Sequence, residues 1–143
     1  MPRLLGLAGL LPMAAFVCTV LVGGDQWRYA ALALGWLYAA LIFSFLGGLW
    51  WGLAAAAGDA APGWLWGASV LPSLAALATL VPWLIGEPWP GHSLVWLGIG
   101  ILASPLIDRR IAALGLAPNW WLALRLMLSG GLGSMAIVMG MAA

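Results

Sequence analysis

The chain has 143 residues, 65% of them hydrophobic and 6% charged, with a mean hydropathy of +1.09 and a formal net charge of +1. Soluble proteins carry about 25% charged residues, and a domain of this size leaves about 30% of its unfolded-chain surface outside the core. Too little polar material is present to face water, so the solvent must be hydrocarbon, and five Arg, no Lys and no basic run argue against a nucleic-acid partner.

The charged residues cut the chain into uncharged stretches at 4–24, 29–58, 60–86, 88–107, 111–124 and 126–143. A membrane helix needs about 20 apolar residues, which predicts spans over about 4–22, 30–56, 65–85, 91–107 and 120–142. Alternation of apolar and polar residues is missing, so these are helices and not barrel strands. The first span follows Met1-Pro2-Arg3 and reads as retained, because no small-x-small site precedes a polar start. It holds Cys18, the single cysteine, so neither an intrachain disulfide nor a thiolate metal site can be built. Gly23-Gly24-Asp25-Gln26 ends it. The second span contains Gly48-Leu49-Trp50-Trp51-Gly52, with Gly47 before it. Small residues four apart bare one helix face and let a neighbour approach closely. Gly58-Asp59-Ala60-Ala61-Pro62-Gly63 closes this span.

In the third span Pro72 lies between Ser69 and Ser73, whose hydroxyls are placed to take up backbone groups freed by the proline. Gly86-Glu87-Pro88-Trp89-Pro90-Gly91 ends it, since its prolines forbid a continuous helix. The fourth span repeats a small pair at Gly100 and Ser104 and is closed by Asp108. Ile111-Ala112-Ala113-Leu114-Gly115-Leu116, apolar but flanked by charge, is predicted to lie along the interface. The fifth follows Pro118 and carries a small pair at Gly130 and Ser134. The expected fold is an all-α polytopic membrane protein, a compact bundle of about five transmembrane helices forming a single domain over residues 1–143.

Arg3, Arg109, Arg110 and Arg125 fall on one side of these spans and Arg28 on the other, so the positive-inside bias places the N-terminus in the cytoplasm and the C-terminus outside. The 11 Trp suit two interfacial girdles, where indole packs its ring and keeps its N–H hydrogen-bonded. The sharper alternative is that inward-facing Trp36, Trp50, Trp51 and Trp96 contact a flat apolar ligand. Asp108 and Arg125 form the polar pair of most interest. Arg125 sits about two turns inside the last span, roughly 10 Å along its axis, where an arginine costs about 2.5–3.5 kcal/mol unless it is paired or snorkels. Either Asp108 and Arg125 form a structural ion pair fixing the last two helices, or Arg125 with Arg109 or Arg110 forms an anion site.

Catalytic residues are not evident. His92 has no second His, Cys or carboxylate at ligand spacing, so a metal is not expected. Zinc-protease, nucleophile-elbow, phosphate-loop and dinucleotide motifs are missing. Ser44, Ser69, Ser73 and Ser104 lack a base, and no carboxylate lies mid-membrane, which weakens a proton-coupled carrier.

Several segments together carry a family resemblance: Leu5-Gly6-Leu7-Ala8-Gly9-Leu10-Leu11-Pro12, Ser44-Phe45-Leu46-Gly47-Gly48-Leu49-Trp50-Trp51-Gly52-Leu53-Ala54, Ser69-Val70-Leu71-Pro72-Ser73-Leu74, Asp108-Arg109-Arg110, and Pro118-Asn119-Trp120-Trp121 leading to Leu124-Arg125. In this order and spacing the chain resembles the bacterial domain-of-unknown-function family 3429, related to the mitochondrial transmembrane protein 69. The family pattern often has His where Trp50 stands and Tyr where Trp121 stands. The resemblance implies a bacterial inner-membrane protein of about five spans and brings no established activity.

Two functions from different classes remain. The first is a non-enzymatic scaffold or accessory subunit that contacts membrane lipids and packs against another membrane protein or a second copy. The second is a small oligomeric channel or carrier for a small solute or anion, running through Ser44, Ser69, Ser73 and the arginine cluster. An enzyme acting on lipid or quinone ranks last. No cofactor is expected, with quinone, pigment or lipid the candidates should an apolar ligand bind.

Overall fold

The computed structural model describes residues 2–143. Helices α1 (Pro2–Ala8) and α2 (Leu11–Val22) form the first span, broken at Gly9-Leu10 just before Pro12. Tyr38 donates its hydroxyl to the Gly9 carbonyl at this break. Helix α3 (Asp25–Ala57) is 33 residues long. At 1.5 Å per residue it extends about 50 Å, well beyond the roughly 30 Å of a bilayer core, so it must tilt or project. It starts at Asp25 and not near residue 30, because an acid in the first turn suits the positive end of the helix dipole.

A short 3-10 turn (Gly58–Ala60) leads to α4 (Gly63–Ala78) and α5 (Val81–Leu84), which make the third span. The fourth consists of α6 (Gly91–Ala103) and α7 (Pro105–Ala113), and α8 (Trp121–Met141) is the last. Five helical rods are thus long and apolar enough to cross a membrane, and no strand occurs among the described residues. The fold is an all-α polytopic membrane bundle.

The fourth span departs from expectation. It does not end at 107, and 111–113 are not a separate interfacial segment, because α7 carries the helix straight through Asp108, Arg109 and Arg110. Pro105 occupies the first turn of α7, where its fixed φ suits a helix start. Asp108 and Ile111 then turn inward and are fully buried, while Arg109 and Arg110 face out.

Helix α8 is central, packing along α6 and also meeting α2, α3 and α7, while α4 lies along α3. One apolar cluster gathers Met13, Phe43, Leu46, Leu97, Leu132 and Met139. A smaller one joins Trp50, Ala54, Leu65 and Ile111. Helices α6 and α8 run antiparallel and nearly touch. A Cβ on Gly98 would stand 2.7 Å from the Gly133 carbonyl oxygen, and one on Gly140 would stand 2.6 Å from that of Gly91. Approach this close maximises dispersion contact, which must hold helices together where lipid removes the hydrophobic driving force.

Of the small residues singled out by the four-residue spacing, Gly47, Gly100 and Ser104 pack inside the bundle, and Gly48, Gly52, Gly130 and Ser134 do not. A Cβ on Gly47 would collide with the Ser69 carbonyl of α4, whereas at Gly48, Gly52 and Gly130 nothing lies within 4 Å, and Ser134 is exposed. The buried side of α3 runs through Ala39, Phe43, Leu46, Gly47, Trp50 and Ala54. Those larger residues set the rotation of the helix, and Gly48 and Gly52 are turned out.

Candidate functional site

Three helices bring polar side chains together at one end of the bundle. Pro105 cannot donate to the Ile101 carbonyl one turn earlier. Ser104 fills that vacancy, its Oγ donating to Ile101 O at 2.7 Å. Asp108 follows Ser104 by one turn on α7, and Ser129 follows Arg125 by one turn on α8, so the antiparallel helices set the two pairs face to face. Asp108 has no exposed surface. Its Oδ1 accepts from Trp50 Nε1 at 2.8 Å and from Trp121 Nε1 at 3.1 Å. Its Oδ2 accepts from Arg125 Nε at 2.9 Å. Arg125 Nη2 donates to Ser104 Oγ and Ser129 Oγ, both at 3.0 Å. The two hydroxyls are 3.1 Å apart. Because Ser104 spends its proton on Ile101, Ser129 is the donor between them.

Burying either charge alone would cost several kcal/mol. Together they are neutral, and both carboxylate oxygens are engaged. The carboxylate is held by two indoles and a guanidinium. It ties α3, α7 and α8 to one point.

Beside this clamp a cavity of about 310 Å³ lies between α1, α3 and α8. Its wall is apolar, with Leu10, Phe45, Leu49, Trp120, Leu128 and Leu132 among the lining residues, apart from Arg125 and Ser129.

A family model described as "Protein of unknown function (DUF3429)" matches residues 1–141. The chain belongs to this family. No curated protein and no solved structure matches the chain.

In this DUF3429 chain the remaining candidates scatter. Arg109 and Arg110 are exposed, and neither takes part in the network around buried Arg125. Trp50 is committed to Asp108. Trp36 donates to Thr79 Oγ1 at 3.0 Å and meets Trp89 edge-on at 5.2 Å. Trp51 packs edge-on against Trp66 at 4.8 Å, and Trp96 faces outward at 67% exposure. These four do not converge; the cavity takes its indoles from Trp120 and Trp121. Ser44 and Ser73 bond each other at 2.8 Å and Ser69 bonds Trp66 O at 2.7 Å, and none of the three lines the cavity. No group of three or more His, Cys, Asp or Glu that could hold a metal occurs among the described residues.

Sequence reasoning assigned Trp121 to an interfacial girdle and Ser104 to helix packing, and it gave Ser129 no role. The four-residue spacing from Ser104 to Asp108 and from Arg125 to Ser129 was the available signal, since each pair shares a helix face.

Proposed function

We propose that this protein is a non-enzymatic subunit of a larger membrane complex, an accessory or assembly factor that docks against another membrane protein. The outward face of α3 carries this reading. Leu41, Phe45, Gly48, Gly52 and Ala55 are exposed and recur at helical spacing, and the space above both glycines is open. A bared strip of this kind suits close packing by a helix from another protein and gives lipid tails nothing comparable. The Asp108 carboxylate supports the same reading, since both of its oxygens are engaged in structure. Arg3, Arg109 and Arg110 on one side against Arg28 on the other support an inner-membrane orientation with a cytoplasmic N-terminus and a periplasmic C-terminus.

The test compares Gly48→Leu and Gly52→Leu with the unaltered chain, each purified in mild detergent after cross-linking in cells. A stoichiometric membrane partner is expected with the unaltered chain and is lost with both substitutions, while thermal stability stays the same. Retention of the partner by both variants, or a homo-oligomer in its place, overturns the assignment.

A further inference from the structure

The guanidinium of Arg125 carries five N–H groups. Three are spent, on Asp108, Ser104 and Ser129, and the two on Nη1 have no acceptor among the described residues. Arg125 is 5% exposed and forms part of the cavity wall. Nη1 is not among the fully enclosed side-chain atoms that lack a partner, so those two N–H groups remain reachable. A donor without an acceptor in apolar surroundings is unfavourable, and an occupant that brings an oxygen relieves it.

Charge decides which oxygen. Asp108 already neutralises Arg125 at 2.9 Å, so an anion would introduce an uncompensated charge into an apolar space. A neutral carbonyl oxygen carries no such penalty. Size narrows the choice further. The cavity, at about 310 Å³, is about twice the roughly 150 Å³ known to accept a benzene. It holds one substituted ring or a comparable run of acyl chain. Any longer tail has an exit past Leu5 and Phe45, which line the cavity and are 72% and 59% exposed.

We propose that this cavity binds a neutral, carbonyl-bearing amphiphile, its oxygen accepting from Arg125 Nη1 and its apolar body lying between α1, α3 and α8. The chemistry is shared by a quinone ring and by the ester of an uncharged lipid. The proposal does not rest on the accessory-subunit reading: the two surfaces share Phe45, but neither Gly48 nor Gly52, which test that reading, lines the cavity.

The full chain in neutral detergent is titrated calorimetrically with decyl-benzoquinone, monooleoylglycerol, decylbenzene and decanoate. Saturable binding of at least one carbonyl probe is expected, the tighter of the two identifying quinone or lipid ester as the source. Decylbenzene, which lacks the oxygen, and decanoate, which is charged, should bind about tenfold or more weakly. Leu128→Trp fills the cavity while leaving every clamp residue unaltered, and should abolish binding. Decylbenzene or decanoate binding as well as the better carbonyl probe, neither carbonyl probe saturating, or unchanged binding to a folded Leu128→Trp variant overturns the proposal.

Discussion

Arg125→Leu removes the cation from the clamp and leaves a fully buried carboxylate facing two indole N–H groups. Loss of one partner from a buried pair costs about 3–5 kcal/mol. The lower end applies here, because Trp50 and Trp121 still donate to Oδ1 and Ser104 and Ser129 retain their mutual bond. A loss of about 3 kcal/mol corresponds to a fall in Tm on the order of 10 °C for a chain of this length. Adding Asp108→Asn should restore most of it: the amide oxygen still accepts from the indoles, and no charge remains to be desolvated. The double variant should therefore lie within about 1–2 kcal/mol of the unaltered protein. Thermal unfolding in mild detergent, followed by size-exclusion of the folded fraction, gives all the values. An Arg125→Leu variant as stable as the original, or a double variant no better than the single, would refute a clamp held by paired charges.

Arg28 donates to the Val20 carbonyl at 3.2 Å and also to the Ala142 carbonyl, placing one cation at the C-terminal ends of α2 and α8. Arg28→Ala should destabilise by about 1–2 kcal/mol, with amide exchange rising first at those two helix ends; uniform or unchanged exchange would speak against it. Trp89 has a buried Nε1 with no acceptor and packs edge-on against Trp36 and Tyr29. Trp89→Phe removes the orphaned donor and keeps a ring, so Tm should hold or rise, and a fall of more than about 5 °C would contradict this. Gly98→Leu drives a side chain into Ile137 and the Gly133 carbonyl, 2.6 and 2.7 Å from where its Cβ would stand. No monodisperse protein is expected from it in detergent, and recovery equal to the unaltered chain would count against the close α6–α8 contact.

Apolar length alone located the spans, because hydrocarbon tolerates so few interruptions that the exceptions stand out. The errors fell where charge lies inside a helix. Asp25 joins α3 because an acid suits a helix start, and Asp108–Arg110 stay helical because burial and exposure separate them by face. Asp108 and Arg125 were conspicuous through the scarcity of charge. Their partners were not. A tryptophan near a boundary reads as an interfacial anchor, and nothing local to Trp50 or Trp121 says that its N–H points inward to a carboxylate. Helix rotation was hidden for a related reason: Gly47 and Gly48 are adjacent and identical, yet only the first meets α4. Which of them turns inward depends on Phe43, Trp50 and Ala54, through contacts to chain distant in sequence.

Helix α8 is pinned at two places along the antiparallel rod of α6 and α7, by glycines where it meets α6 and by its salt bridge to Asp108 of α7. Sliding one past the other by a single turn would drive Ile137 or Leu102 into a backbone and strand Asp108 without its cation. The two therefore behave as one rigid post. Against that post α1 lies only lightly, and it forms one wall of the apolar cavity, so a change in α1 alters the cavity without disturbing the α8 contacts to α6 and α7.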